Sequence, residues 1–476
     1  MAEESQDKAQ TFHIEEGKSP VLYDETFDDP DNPLNWPYWL KIYIALLMAL
    51  LGFLAQFCSS LINPGYVTMS KDLGITIEQS SYCTTVFIVF SGIAPMFVVP
   101  YGNVYGRRIL FVVFSFISTL GAIVTAAAPT YGGVIVGRII NGIGQGIPLG
   151  VGVVTICDLF RQHERGLWVG LYTIGVTNGP HVAPIAGGYI TQRLGWRWCF
   201  WVPAIFQGIV CLILLLTLPE TLYLRGDSNR LRHRPYWGRL FFFGKVIDRP
   251  IEAEQFWRPF KLIRHATVAL PALYFCTCNT FGSTLFAVTG ANIGAKIFGF
   301  DTEQTGLFMG VPLSVGCMIG EASAGWVSDR LLALYARRHG GNQKPEARLF
   351  LMPLCTTLCV GTATYGLCIQ NRYPWIQASV CMAISGFGLQ IATTMVYTYC
   401  TDSYRSRASE VGAVLNFFKC VFAFNVGFYA LPFAGKVGYT TAFSVLASIN
   451  GACLFPLLIL FFVGERIRIQ SSDIDY

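Results

Sequence analysis

The chain has 476 residues, of which 53% are apolar, only 13% are charged and 36 are phenylalanine. A soluble surface carries charge roughly twice as often, so these numbers exclude a water-soluble globule and place much of the exterior against hydrocarbon. The net charge of +5 is informative by loop, because Lys and Arg bias orientation; it does not point to nucleic acid as a partner.

Residues 1–39 carry ten Asp/Glu against Lys8 and Lys18. That is the opposite of a signal peptide's positive n-region, and it reads as a disordered acidic cytoplasmic tail. A hydrocarbon core about 30 Å thick needs about 20 apolar residues per helix. Such runs lie near 40–61, 81–101, 109–128, 132–155, 167–191 and 198–218. A polar stretch at 219–265 separates them from runs near 266–288, 304–325, 349–369, 374–400, 409–432 and 440–463, with a tail at 464–476. The expected fold is an all-α integral membrane protein of twelve transmembrane helices, with six-helix bundles at 40–218 and 266–463 joined by a central cytoplasmic loop. With both termini inside, the inner loops hold 21 Lys/Arg and the outer loops six, or 11 against six without the central loop. Both ends are therefore expected in the cytoplasm.

The 15 cysteines fall mostly inside apolar stretches, as Cys58, Cys83, Cys211, Cys317, Cys359 and Cys381 do, where they act as small hydrophobes. Cys276-x-Cys278 has no accompanying His cluster, so neither a metal site nor a disulfide framework is expected.

The halves echo each other. After the second run comes Gly102-Asn103-Val104-Tyr105-Gly106-Arg107-Arg108, and after the eighth Gly325-Trp326-Val327-Ser328-Asp329-Arg330. After the fourth comes Asp158-Leu159-Phe160-Arg161, and after the tenth Asp402-Ser403-Tyr404-Arg405. Charged elements in register six spans apart argue for a duplicated unit, the parallel repeat of rocking transporters. Run 4 holds Arg138-Ile139-Ile140-Asn141-Gly142-Ile143-Gly144-Gln145-Gly146, and run 5 holds Gly175-x-x-x-Gly179-Pro180-His181-Val182-Ala183-Pro184-Ile185-Ala186-Gly187-Gly188. Asp29-Pro30-Asp31-Asn32-Pro33-Leu34-Asn35-Trp36 precedes the first run, Leu218-Pro219-Glu220-Thr221 closes the sixth and Pro345-Glu346-Ala347-Arg348-Leu349 enters the ninth.

Over about residues 28–468 these elements resemble the major facilitator superfamily, in particular the fungal branch of twelve-span drug:proton antiporters. The stretch Val99 to Arg108 occupies the family's Gly-x-x-x-Asp-Arg-x-Gly-Arg-Arg pattern. Its Gly106-Arg107-Arg108 end is intact, while Val99, Asn103 and Val104 replace the first Gly, the Asp and the first Arg. The resemblance implies a cytoplasmic gate in which Arg107 pairs with Asp158, with Asp329, Arg330 and Asp402 as the counterpart in the second half. Loss of the acid at Asn103 implies a weaker latch, or one made of neutral hydrogen bonds. The other reading of Arg107 and Arg108 is as positive-inside anchors. The run 5 element resembles the family's antiporter motif. Its small residues let helices approach closely and its prolines bend the helix, which suits either a proton-tight seam or packing alone.

Ionisable groups inside membrane helices are functional candidates by default. Arg138, with Asn141 and Gln145 on its face, is expected at the cavity, where it would contact an anion or lower the pKa of an acid; the other reading is snorkelling to headgroups. His181 either titrates near neutral pH or bonds a freed carbonyl. Glu321, near the inner end of run 8, is a proton carrier or a loop anchor. Lys419 lies three residues after Asn416, and with Glu410 resembles a fungal subgroup that includes cation and polyamine carriers; it binds an anionic substrate or pairs within its own half. By resemblance, runs 1, 4, 7 and 10 line the cavity, with Gln56, Asn141, Gln145, Asn279, Thr280 and Gln390 among the aromatics Tyr274, Phe275 and Phe281. Amides with aromatic rings suit an amphipathic organic compound.

The expected function is secondary active transport by alternating access: proton-coupled efflux of a drug or fungal secondary metabolite. The alternative is proton-coupled import of a nutrient or a polyamine-like organic cation. No catalytic constellation is visible, so an enzyme is not expected. Nor is any cofactor; the proton gradient is the expected energy source. The expected partners are the bilayer of the plasma membrane and a small-molecule substrate, and the expected state is a monomer.

Overall fold

The computed structural model of the protein describes residues 32–223, 236–240, 242, 244–248, 250–338, 345–404 and 407–472; side chains 162, 163, 329, 332, 336, 338, 408, 409 and 468–472 fall outside the description. The expected acidic tail thus lies almost wholly outside the described residues. The first half comprises α1 (Tyr38–Ser60), α2 (Tyr66–Leu73), α3 (Ile77–Tyr105), α4 (Arg107–Ala127), α5 (Tyr131–Leu159), α6 (Gln162–Leu194) and α7 (Trp198–Thr217). The central loop contributes α8 (Tyr236–Leu240) and α9 (Glu254–Lys261). The second half comprises α10 (Ala266–Asn279), α11 (Leu285–Ile293), α12 (Thr302–Arg338), α13 (Met352–Gln370), α14 (Trp375–Ser403), α15 (Ala408–Val437) and α16 (Tyr439–Ser472).

Ten of these helices are long and apolar enough to cross a membrane among the described residues. The fifth and seventh expected spans are helical too, and each misses that measure for a visible reason. The 33-residue α6 is diluted by the Gly, Thr, Asn, Pro and His of its motif. The seventh is broken into α10 and α11 by a π-helical turn at Thr280–Thr284 and ends in a second one at Gly294–Phe298, a distortion often found at functional sites. Large apolar side chains such as Leu46, Phe116, Ile205, Val360 and Phe462 stand on the outside, where water would not tolerate so many.

Local chemistry sets several boundaries. Thr76 and Gln79 form a reciprocal capping box at the start of α3, and Asp301 with Gln304 does the same before α12. Such boxes satisfy orphan N–H groups of the first turn. Between α3 and α4 the chain turns at Gly106 with φ of 104°, a region that side chains with a Cβ avoid.

Helix packing repeats between the halves. The pairs α3–α5, α4–α5 and α4–α7 recur as α12–α14, α13–α14 and α13–α16. The two most extensive contacts between the halves are α6 with α12, and α3 with α15. They too are related by the repeat, so the interface has the pseudo-twofold symmetry that the duplicated motifs require. Tyr38 at the start of α1 meets Phe160 just past α5, and Phe350 before α13 meets Phe461 near the end of α16. Both chain ends therefore belong to one side of the molecule, here called the terminal face.

Candidate functional site

At the opposite face the halves are in close contact. A Cβ on Gly188 of α6 would lie 2.8 Å from the Thr302 carbonyl oxygen and 3.1 Å from Gly306 Cα on α12. Gly306 in turn abuts the Pro184 carbonyl. In the second seam Tyr82 of α3 stacks obliquely on Phe428 of α15 at 4.7 Å, and Gly92 receives Cys420. The motif in α6 works on two sides. Gly175, Gly179 and Gly187 admit the backbone of α1 at Ala49, Phe53 and Leu61, while Gly188 admits α12. Between them Pro180 and Pro184 sit inside the helix. His181 is buried, with its carbonyl against Gly310 of α12.

At the terminal face a cavity of about 700 Å³ opens between the halves. Its apolar wall includes Met96, Val99 and Val154 of α3 and α5, and its polar wall includes Asn103, Arg107, Gln255, Arg258 and Glu410. The expected lining was spans 1, 4, 7 and 10. Of these only the fourth, α5, contributes, together with α3, α15 and α9 of the central loop. The aromatics expected around the cavity go elsewhere: Tyr274 and Phe275 pack into one core cluster of the second half and Phe281 into another.

The expected gate residues separate into distinct roles. Arg107 Nε lies 3.5 Å from Asp158 Oδ2, and its Nη1 donates to Asn103 Oδ1 at 3.1 Å. The asparagine that replaces the family's acid thus holds Arg107 through a neutral hydrogen bond. Arg108 points away from the gate; its Nε and Nη2 donate to the Leu218 and Leu215 carbonyls, each at 2.8 Å. Glu220 accepts the backbone N–H groups of Arg107 and Arg108 at 2.8 and 3.0 Å, a carboxylate on a helix N-terminus. Burial raises the Glu220 pKa, against the opposing pull of the Leu222, Arg107 and Arg108 N–H donors.

In the second half Asp402 pairs with Arg348 at 3.2 Å, and Arg348 Nη1 donates to Ser328 Oγ at 2.7 Å. Arg348 thus takes the place expected for Arg330, which instead stacks on Trp326 at 3.9 Å. The Asp329 side chain lies outside the described residues, as does Arg405.

The intramembrane candidates also divide. Arg138 is 1% exposed and reaches neither cavity nor headgroups. It donates to the carbonyls of Cys83, Cys58 and Ser59 at 2.8, 3.1 and 2.8 Å, with Phe87 and Phe200 over its plane. Asn141 binds Ser118 and Gln207, and Gln145 faces a small void within the first half. Both turn inward because the polar face of α5 packs against α4 and α7.

Glu321 sits about midway along α12, since that helix continues to Arg338, well past the expected end of the span. Its carboxylate accepts from the Gln390 amide of α14 and from Thr394 Oγ1 at 3.3 Å. Asn279 is half-buried where α10 gives way to the π turn. Asn416 and Lys419 are half-buried on α15, and Asn416 accepts a weak Cys420 thiol contact at 3.9 Å.

Sequence reasoning missed Arg348, Glu220, Gln255 and Arg258 as site residues. The first two stood in motifs read only as family marks. The last two lie in α9, whose Phe256, Trp257 and Phe260 alternate with Glu254, Arg258 and Lys261 in a pattern that signals an amphipathic helix.

Solved structures show the same architecture. A bacterial homologue of the human lysosomal transporter Spinster, in an inward-facing and unoccupied conformation, matches with TM-score 0.62 at 16% identity, covering 91% of this chain and 99% of that one. A D-xylose-proton symporter matches with TM-score 0.67 at 15% identity, covering 88% and 97%. Among curated relatives, the MFS-type transporter penM of Penicillium rubens is 31% identical over 95% of this chain and 91% of its own. The MFS transporter cpaT of Aspergillus oryzae is 29% identical over 93% and 90%, and the efflux pump radE of Floropilus chiversii is 26% identical over 95% and 86%. The sequence model of the Major Facilitator Superfamily matches residues 48–427; the chain is a membrane transporter of that superfamily.

Proposed function

We propose that this transporter exports a small amphipathic organic compound, of the secondary-metabolite class, in exchange for protons. The observation that carries the coupling is Glu321: a carboxylate midway along a membrane helix, held by an amide and a hydroxyl from α14. An acid in that setting is costly to keep charged, so gain and loss of a proton there is a natural currency for a conformational change. Two observations supply the rest. The halves meet at the opposite face while a cavity within the usual 300–1,000 Å³ range of ligand sites stands at the terminal face. The Lys/Arg bias assigns that face to the cytoplasm, so the described state faces inward and is ready to load. Export rather than import follows the name of radE, an efflux pump that aligns over nearly the whole chain.

Inverted plasma-membrane vesicles test the reading. With an inside-acid gradient, a panel of aromatic amphiphiles should include compounds that accumulate and discharge the gradient. Glu321→Gln should abolish gradient-driven accumulation and retain exchange of preloaded compound. Flux that ignores the gradient, or a Glu321→Gln variant that still accumulates against it, would remove the coupling claim.

A further inference from the structure

The central loop is fixed to both halves at the terminal face. Backbone N–H groups of Val246 and Ile247 donate to the Val104 carbonyl at the end of α3, at 3.0 and 3.1 Å. Both side chains are buried. Farther along, Phe256 of α9 meets Tyr101 of α3 at 5.9 Å, and Phe260 meets Phe417 of α15 at 5.2 Å. Arg258 Nε lies 3.3 Å from Glu410 Oε1. One short segment therefore bridges the seam along which the halves move.

The polar atoms around the cavity are only partly matched. Glu410 spends Oε1 on Arg258, while its buried Oε2 has no hydrogen-bond partner among the described residues. Arg107 Nε and Asp158 Oδ2 face each other at 3.5 Å, yet neither atom has a hydrogen-bond partner among the described residues. Gln255 Oε1 likewise has none among the described residues. Buried polar atoms are nearly always paired. Several orphans around one cavity mark a site whose partners arrive in another conformation.

We infer that Glu410 changes partner during the cycle, pairing with Arg258 of the central loop while the cavity is open and with Arg107 when the halves close over it. Asn103, on the wall of the same cavity, is neutral and accepts from Arg107, so it brings no charge that would compete with Glu410. Glu410 is the carboxylate of the second half that faces the same cavity as Arg107. The loop helix thereby competes with the α3–α4 corner for one acid, and the strength of its grip sets the balance between the two states. This rests on the alternating-access reading above, but not on proton coupling or on any substrate.

The test uses the full chain in inverted vesicles. Val154→Cys, in a Cys157→Ser background, places a thiol in the cavity wall; its labelling by an impermeant maleimide reports how often the cavity is open. Arg258→Ala should slow labelling at least threefold, because the freed Glu410 favours closure; a merely steric effect of the smaller residue would speed it. Arg258→Lys keeps the pair and should label at the unsubstituted rate. Combining Arg258→Glu with Glu410→Arg rebuilds the loop pair with reversed sign but sets like charges against each other on closure. That variant should keep labelling fast and lose transport at least tenfold.

Unchanged or faster labelling in Arg258→Ala overturns the inference, as does slowing by Arg258→Lys or near-normal transport in the double variant. The expected labelling shifts in vesicles that show no gradient-driven flux would uphold the exchange of partners and count against the coupling alone.

Discussion

Replacing Arg138 by Met separates a structural role from a role in transport. The guanidinium is buried and satisfies three backbone carbonyls, two at the end of α1 and one in α3. Hydrogen bonds to a charged group contribute about 1.5–3 kcal/mol each, so their loss alone would destabilise by about 4–9 kcal/mol. The cation's own burial costs several kcal/mol, and Met relieves that. The net loss is then about 2–5 kcal/mol, felt as parting of α1 from α3 and α5. Lys keeps the charge but cannot span carbonyls on two helices, so it should fall between. The assay is thermal unfolding of the purified protein in detergent, paired with transport per folded molecule. Arg138→Lys should melt several degrees lower and transport within about twofold of the unsubstituted protein. A variant that melts normally but no longer transports would refute the structural assignment and return Arg138 to the substrate path.

Other substitutions test the remaining contacts. Glu220→Gln should cost about 1 kcal/mol of stability, the usual scale for a helix-terminus interaction, read as a lower melting temperature. Because burial raises its pKa above the ordinary 4.5, the folded state binds that proton more tightly than the unfolded state. Stability from this group therefore falls as pH rises through the interval above 4.5, and Glu220→Gln should lose that slope. Gly188→Val and Gly306→Val overpack the α6–α12 seam by about 1–3 kcal/mol each. Labelling of the terminal-face cavity should fall in both, since the halves can no longer meet at the opposite face. Arg348→Ala should destabilise the second half by about 1–3 kcal/mol by leaving Asp402 and Ser328 unmatched, and an added Asp402→Ala should recover part of the loss in the same melting assay.

Spans and repeat were legible because both rest on one-dimensional patterns: apolar length, and charged motifs six helices apart. The Arg107–Asp158 pair was legible only through the resemblance of the Val99–Arg108 stretch to the family pattern. What failed was orientation around each helix axis. Arg138, Asn141 and Gln145 share a face, and sharing a face does not say whether it meets a cavity or another helix. The carbonyls that bind Arg138 belong to Cys58, Ser59 and Cys83, residues whose side chains give no hint of the interaction. The continuation of α12 to Arg338, past an apolar stretch that ends near residue 325, carried no signal of that kind. The central loop looked like a mere connector, since its eight-residue α9 is far below the length at which apolar runs register as spans.

The repeat makes the two halves comparable, and they are not equally matched at the terminal face. In the second half Arg348 makes hydrogen bonds to both Asp402 and Ser328, and the corner is complete within its own bundle. In the first half Arg108 and Glu220 complete the equivalent corner through backbone groups, while Arg107 Nε and the facing Asp158 Oδ2 have no hydrogen-bond partner among the described residues. A contact already satisfied within one bundle gains nothing when the bundles rock and so cannot bias the motion. A contact left incomplete can, because closure supplies what it lacks. By that reasoning the free energy that distinguishes the two states is concentrated at Arg107, Glu410 and the α9 helix between them, and the second half's corner serves as the rigid body against which they act.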